Sequence, residues 1–195
     1  MRRGALAIFV LASALVSCAP SVPPIIRDEL ARAPRGTVTV VSFTDFQCPF
    51  CRRTHAALAP MVAQREGRVR VVLRHVPLNM HPDARTAARA AVCGEPLAAY
   101  EDLVNALYTA PDLGEAAVED LAVARGADRE QFKRCVAEPA TDARIDRDTA
   151  MYRALDGSGV PLLYVGRTRI DGAPSRSGLE AAIDDASREI HGSTP

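Results

Sequence analysis

The chain is long enough, at 195 residues, to bury the core of one domain together with an inserted subdomain. Its hydrophobic content of 48% and charged content of 25% are those of an ordinary globular protein. The formal net charge is zero, and no long run of one sign of charge occurs. This balance argues against nucleic acid as the main partner, because phosphate binding requires a concentrated basic surface.

The first 17 residues have the pattern of an export signal peptide. Arg2 and Arg3 precede a short apolar run, and small residues stand before the expected cleavage point. The apolar run, residues 5–16, is shorter than the ~20 residues that a membrane-spanning helix needs. The Leu-Val-Ser-Cys segment that ends at Cys18 resembles a bacterial lipobox, which implies lipidation of Cys18. The alternative is an ordinary secretory signal with an incidental cysteine.

Residues 18–36 are predicted to be a lipidated tether with a short ordered piece at residues 25–33. The segment is interrupted by four prolines and a glycine, namely Pro20, Pro23, Pro24, Pro34 and Gly36. Together with the signal, this tether predicts an exported protein. We expect a lipid anchor in a bacterial membrane, with the domain facing the periplasm or the cell exterior.

Residues 37–82 are predicted to form a strand–helix–strand unit. The β-branched run 37–43 predicts a buried strand, and residues 49–64 predict a helix that begins at Pro49. A second strand is predicted at residues 69–76, parallel to the first.

Residues 83–155 are predicted to be an inserted helical subdomain, because they hold too much helix for a single crossover. The Ala-rich helical segments lie at residues 83–93, 96–109, 115–125, 128–137 and 141–155. Residues 156–195 then supply a strand at 160–165, a short antiparallel return and an amphipathic helix at 177–191. The predicted fold class is therefore α/β.

The central chemical feature is the segment Cys48-Pro49-Phe50-Cys51, between the first predicted strand and its helix. The helix macrodipole and the N–H groups of the first turn stabilise a thiolate at Cys48. A stabilised thiolate is a good leaving group, so the disulfide is readily attacked by substrate thiols. We predict that Cys48 is the exposed nucleophile and Cys51, one turn deeper, the resolving thiol. Asp45 is predicted to cap the helix or shape the loop.

Two other uses of this cysteine pair remain open from the residues alone. Cys48, Cys51 and His55 could bind a metal ion, although no second Cys-x-x-Cys supplies a fourth ligand. The pair could also be a purely structural disulfide, although so short a loop removes little chain entropy.

Four cysteines remain if Cys18 is lipidated, and an even number suits an oxidising compartment. Their spacing favours pairing Cys48 with Cys51 and Cys93 with Cys135. The second pair is predicted to be a structural bridge across about 42 residues, worth roughly 4 kcal/mol in the chain-entropy model. The alternative is two buried free thiols or a second redox relay.

Four separated segments resemble, in the correct order, those of DsbA-like proteins of the thioredoxin superfamily. They are an active-site segment, a second strand with the start of the insertion, a cis-proline loop and a final hairpin, at residues 43–51, 73–84, 159–161 and 165–173. The resemblance covers about residues 37–190. It implies a thioredoxin-like fold with an inserted helical subdomain and a thiol–disulfide oxidoreductase activity.

The resemblance further implies that Pro161 is cis and that Val160 lies beside the cysteine pair. Together with Pro49 and Phe50, these residues would bind substrate by holding an extended client segment beside the nucleophile. Ser42 occupies the position, six residues before the nucleophile, at which many thioredoxin-like proteins carry a buried carboxylate.

We therefore predict an extracytoplasmic oxidoreductase that introduces disulfides into unfolded or cysteine-containing exported proteins through Cys48 and Cys51. By analogy with the family, a membrane partner of the quinone-linked type re-oxidises it. We expect a monomer that needs no bound cofactor or metal. The alternatives are a disulfide reductase or isomerase for specific clients, and a metal-binding module that uses Cys48, Cys51 and His55.

Overall fold

A computed structural model describes residues 22–192, which contain one four-stranded sheet. In chain order the strands are β1 Val38–Thr44, β2 Val69–His75, β3 Leu162–Val165 and β4 Thr168–Asp171. Their order across the sheet is β2-β1-β3-β4. Strands β1 and β2 run parallel, as predicted, whereas β3 is antiparallel to both of its neighbours. The predicted signal peptide and the lipidation site Cys18 lie outside the described residues.

Eight helices accompany the sheet within residues 22–192. They are α1 Pro24–Ala31, α2 Pro49–Gln64, α3 Ala84–Gly94, α4 Tyr100–Thr109, α5 Glu115–Val123, α6 Arg129–Ala137, α7 Pro139–Ala154 and α8 Arg176–Gly192. Helices α3 to α7 lie between β2 and β3 in the chain and form the helical insertion. The predicted α/β class is therefore confirmed.

Strand β1 pairs with β2 and β3 along its two edges, and both of its faces are buried against helices. Val41 and Phe43 pack into the core that the sheet shares with the helical insertion. Val38 and Val40 point to the opposite face and pack with α8. This alternation explains why the strand reads as a continuous apolar and β-branched run rather than as a half-buried one.

Helix α1 coincides with the short ordered piece predicted at residues 25–33, and it packs on the domain. Ile26 is fully buried in the main core, and Glu29 is 4% exposed. The Glu29 carboxylate binds the Arg74 guanidinium, whose Nη1 also donates to Asp148 Oδ1 at 3.2 Å. This ion cluster joins α1, β2 and α7, so residues 24–31 belong to the folded domain.

The helical insertion is held together by a disulfide and by ion pairs. Cys93 of α3 and Cys135 of α6 are bonded, with their Cα atoms 5.8 Å apart. Arg85 and Arg89, also on α3, both donate to the carboxylate of Asp142 at the start of α7. These hydrogen bonds, that of Arg89 above all, hold the pKa of Asp142 below its usual value.

His75, at the end of β2, is fully buried behind the loop that follows β1. Its ring stacks on Phe46 with the ring centroids 5.8 Å apart. Neither ring nitrogen has a hydrogen-bond partner among the described residues. Burial, together with the charges of Arg144 and Arg74, lowers the pKa of His75 to about 3. The folded protein therefore requires this imidazole to be neutral.

Removal of the Cys93–Cys135 bridge should destabilise the fold. We expect a Cys93→Ser/Cys135→Ser double variant to lose about 4 kcal/mol of unfolding free energy, because the bridge closes a loop of 42 residues. Urea unfolding of both proteins measures this difference. A Cys48→Ser/Cys51→Ser variant is the matched control, since that pair encloses only two residues. A loss of less than about 1 kcal/mol would contradict the entropic role of the bridge.

His75 should make the protein sensitive to acid. Its folded-state pKa, about 3, lies below the 6.5 of an ordinary histidine, so the neutral form is favoured on folding. The stability that this contributes is complete above pH 6.5 and is lost as the pH falls from there towards 3. The expected slope from this residue is about 1.4 kcal/mol per pH unit. The free energy of unfolding, measured with urea at several pH values, should depend less steeply on pH in His75→Leu, by the equivalent of one bound proton. An equal pH dependence in the two proteins would refute the assignment.

Candidate active site

Cys48 stands at the N-cap of α2, directly after the loop that follows β1. Its backbone is extended, with φ −70° and ψ 121°, and Pro49 occupies the first helical position. Its N–H donates to the Asp45 carbonyl at 3.2 Å, and its carbonyl accepts from the Arg52 N–H at 3.0 Å. The Cys48 sulfur lies 3.7 Å from the carbonyl oxygen of Val160. The chain thus brings the first cysteine to a helix N-terminus and beside the loop before β3.

The exposure predicted for Cys48 is wrong. Cys48 is only 4% exposed, because the loop that carries Val160 packs over its sulfur. Phe50, two residues on, is 51% exposed, and the Arg53 guanidinium lies 4.9 Å above its ring. Phe50 is therefore exposed between the two cysteines, while the Cys48 sulfur is largely covered.

Cys51 lies one turn further along α2 and is 1% exposed. Both cysteines are free thiols, so this is the reduced state of the pair. Burial raises the pKa of Cys51 to about 12, against the opposing effects of hydrogen bonds from the Thr44 side chain and the Asp45 backbone. Cys51 is therefore a neutral thiol at physiological pH.

The loop before β3 has the backbone geometry that the resemblance implied. The peptide bond between Val160 and Pro161 is cis. The Pro161 carbonyl accepts from the Gly172 N–H at 2.9 Å, which ties the loop to the end of β4. At Gly157 a Cβ atom would lie 2.1 Å from Cε2 of Tyr152, so only glycine permits this close packing of the loop. The Val160 carbonyl is thereby held against the cysteine pair.

Asp45 has the role in the loop that the sequence predicts for it, and its contacts are more extensive than expected. Its buried carboxylate accepts from the N–H groups of Gln47 and Leu78, each at 2.8 Å. Asp45 Oδ2, which accepts from Leu78, also lies 2.8 Å from His81 Nδ1. Asp45 therefore joins the loop after β1, which leads to Cys48, to the loop after β2.

Two functional candidates were missed from the sequence, Thr44 and Tyr108. Their hydroxyl oxygens are 2.6 Å apart, and both side chains are buried next to Cys51. The position of Thr44 at the end of a strand that leads to the cysteine pair was a usable signal. Tyr108 lies in the helical insertion, and nothing in the local sequence pointed from it to the site.

The predicted metal-binding alternative is not supported by the position of His55. Its Nε2 lies 2.6 Å from Asn105 Oδ1, and its ring stacks on Tyr108 with a centroid distance of 4.2 Å. Burial lowers the pKa of His55 below its usual value. Within residues 22–192 no group of three or more His, Cys, Asp or Glu side chains is arranged to hold a metal ion.

Comparison with known proteins identifies the family. The thioredoxin family model matches residues 33–185. The chain belongs to the thioredoxin family. A thioredoxin-like oxidoreductase from Silicibacter pomeroyi DSS-3 is 33% identical, with a TM-score of 0.70 over 80% of this chain and 89% of that one. The thiol-disulfide exchange protein alpha-DsbA2 from Wolbachia pipientis has a TM-score of 0.71 at 20% identity, over 83% and 91% of the two chains.

The predicted thioredoxin-like fold is therefore confirmed. Structures of similar fold include the catalytic domain of Proteus mirabilis ScsC, with a TM-score of 0.66 at 21% identity over 80% and 86% of the two chains. Within the described residues no helix combines the length and apolarity needed to span a bilayer.

Curated relatives of this thioredoxin-family protein include much longer chains named as Na(+)/H(+) antiporters. The Na(+)/H(+) antiporter NhaA 1 of Mycolicibacterium gilvum is 31% identical over 162 residues, which are 81% of this chain but 26% of the antiporter. The chain thus spans about a quarter of the length of the curated relatives it matches. The match therefore gives no basis for antiport activity in this chain.

The two thiols of this thioredoxin-family protein should differ sharply in reactivity. Alkylating agents attack thiolates, and the pKa of about 12 keeps Cys51 protonated. We expect iodoacetamide to modify native, reduced protein at Cys48 and not at Cys51, as mapped by mass spectrometry after a neutral-pH incubation. Native Cys48→Ser should remain unmodified until it is denatured, whereas Cys51→Ser should give the same single adduct as wild type. Comparable labelling of Cys51 in the native protein would contradict its burial.

Proposed function

We propose that this protein introduces disulfides into exported proteins, using Cys48 and Cys51 as its redox pair. The observation that carries the proposal is the position of the Cys48 sulfur. It lies at the start of α2 and 3.7 Å from the Val160 carbonyl, with the buried Cys51 one turn behind it. The positive end of the helix dipole stabilises negative charge that develops on this sulfur. That effect favours the reduced enzyme and so favours oxidation of clients.

The exchange proceeds in two displacement steps. A client thiolate attacks the Cys48 sulfur of the oxidised pair, the Cys48–Cys51 bond breaks, and Cys51 leaves with the electron pair. A second client thiolate then attacks the client sulfur of the mixed disulfide, and Cys48 leaves as a thiolate. The client has lost two electrons to form its disulfide, and the enzyme has gained them as two reduced cysteines.

The surface around Cys48 suits an extended, apolar client segment. Phe50, between the two cysteines, is 51% exposed. Val160, held in place by the cis bond to Pro161, supplies the backbone groups beside the sulfur, at which an extended segment aligns in the manner of an added strand. Together with Pro49, these residues form the substrate-binding surface in the proposal.

The proposal places the enzyme outside the cytoplasm, tethered by a lipid on Cys18. Support comes from the signal pattern before Cys18 and from the bridged pair of cysteines in the insertion, which suits an oxidising compartment. A periplasmic thioredoxin-like protein from Salmonella enterica serovar Typhimurium has a similar fold, with a TM-score of 0.65 at 19% identity. The clients are unfolded, cysteine-containing exported proteins, and a quinone-linked membrane partner restores the disulfide of the monomeric enzyme.

An oxidative-folding assay tests the activity. Full-length protein, purified in detergent, is added to reduced, unfolded ribonuclease A with oxidised glutathione as the final oxidant. We expect wild type to accelerate disulfide formation, Cys48→Ser to match the buffer rate, and Cys51→Ser to accumulate a mixed disulfide with the client. The matched control is Cys18→Ser, which loses the lipid site and should retain full activity. If Cys48→Ser performs as well as wild type, the proposal fails.

The equilibrium potential of the Cys48–Cys51 couple decides between oxidase and reductase. Titration against glutathione should give a value less negative than about −180 mV for an oxidase, the range of disulfide-forming enzymes. A value near about −270 mV, that of thioredoxin, would reassign the protein as a reductase.

A further inference from the structure

The buried cysteine of the pair faces a short chain of two hydroxyl groups. Thr44 is the last residue of β1, and its buried side chain lies beside Cys51, whose pKa it lowers as a hydrogen-bonding group. The Thr44 oxygen lies 2.6 Å from the hydroxyl oxygen of Tyr108, which belongs to α4 of the helical insertion. Thr44 and Tyr108 are each 2% exposed, so both hydroxyl groups are shielded from bulk solvent.

The position of Tyr108 is fixed by two aromatic neighbours. The Phe46 ring lies 4.6 Å from the Tyr108 ring, and the His55 ring stacks on it at 4.2 Å between centroids. Burial raises the pKa of Tyr108 well above its usual value, so its hydroxyl keeps its proton. It can therefore donate a hydrogen bond to Thr44 Oγ1, the hydroxyl oxygen that it faces.

Cys51 needs such donors because thiol–disulfide exchange places negative charge on its sulfur inside the core. Ser42 stands where many thioredoxin-like proteins carry a buried carboxylate. The interactions that lower the pKa of Cys51 are hydrogen bonds from the Thr44 side chain and the Asp45 backbone, and not contacts with a cation. Hydrogen bonds therefore supply the stabilisation of a charged Cys51 sulfur.

We propose that Thr44 and Tyr108 form a hydroxyl relay that stabilises the Cys51 thiolate during disulfide exchange. Thr44 donates to the Cys51 sulfur and is a catalytic residue. Tyr108 donates to Thr44 Oγ1, which orients and polarises the Thr44 hydroxyl, and is a positioning residue. The relay rests on exchange at Cys48 and Cys51 and is independent of the direction of electron flow in the cell.

The step is balanced without any further reactant. A thiolate attacks the Cys48 sulfur of the oxidised pair, a new sulfur–sulfur bond forms to Cys48, and the Cys48–Cys51 bond breaks. Cys51 takes the electron pair while it accepts the hydrogen bond from Thr44, and it then binds a proton from solvent. In the reverse step the Cys51 proton returns to solvent, and its thiolate attacks Cys48 and expels the bound thiol.

The test measures exchange with glutathione in both directions. Thr44→Val removes the donor, and we expect mixed-disulfide formation and its reversal by Cys51 to slow about tenfold, as for loss of a hydrogen bond to a charged group. The equilibrium constant should change less than about threefold, because Cys51 is a neutral thiol on the reduced side and is bonded on the oxidised side. The chain has no Trp, so the reaction is followed by acid quench and mass spectrometry of alkylated thiols.

Further variants separate the relay from a structural effect. Thr44→Ser keeps the hydroxyl and should restore most of the wild-type rate. Tyr108→Phe should slow both directions by a smaller factor than Thr44→Val, and the double variant should be no slower than Thr44→Val alone, because Tyr108 acts through Thr44. The matched controls are Thr39→Val in β1 and Tyr164→Phe in β3, whose hydroxyls bond arginines away from Cys51. Both should react at the wild-type rate.

Two outcomes would overturn the relay. One is a wild-type exchange rate in Thr44→Val with its unfolding midpoint preserved. The other is an equal loss in the rates of Thr44→Ser and Thr44→Val, which would show that the packing of the threonine methyl group matters and the hydroxyl does not. A wild-type protein that exchanges with glutathione but does not oxidise ribonuclease A would refute the proposed oxidase and leave the relay intact.

Discussion

The geometry of the redox site depends on one buried carboxylate, that of Asp45. Its side chain is fully buried, and a buried carboxylate is tolerated only where donors replace its lost hydration. The N–H groups of Gln47 and Leu78 and the ring of His81 provide that replacement. Because these donors come from the loops after β1 and β2, the carboxylate fixes both loops together. The resulting turn places Cys48 at the start of α2.

A second buried ion cluster, away from the site, joins two helices to β2. Glu29 of α1 and Asp148 of α7 share the guanidinium of Arg74 on β2, and Asp148 also accepts from the His75 N–H at 3.0 Å. Burial raises the pKa of Asp148 above its usual value, although the bonds from His75 and Arg74 oppose the rise. Such a cluster specifies which helices dock on which strand more than it adds net stability. It thereby fixes the end of β2, next to which the active-site loop lies.

Much of the fold could be predicted from the sequence because its signals are local. The β-branched run predicted β1, and a proline after the first cysteine predicted the start of α2 at Pro49, where the helix begins. What could not be predicted depends on contacts between distant residues. The partner of Thr44 is 64 positions away, and Val160, whose loop covers Cys48, is 112 positions away. No periodicity within a segment carries that information, which is why the burial of Cys48 was missed.

The helical insertion is part of the chemistry as well as of the architecture. Cys48, Cys51, Tyr108 and Val160 belong to one continuous core, which extends from the sheet into α4 and α5. Burial is the main cause of the raised pKa of Cys51, so the packing of this core determines the free-energy cost of a negative charge on the Cys51 sulfur. The same packing brings Tyr108 next to Thr44. The hydrogen bond from Thr44 lowers the pKa of Cys51 and so opposes the effect of burial. A less tightly packed core would weaken both the effect of burial on the pKa of Cys51 and the opposing hydrogen bond from Thr44, because both arise from the same contacts.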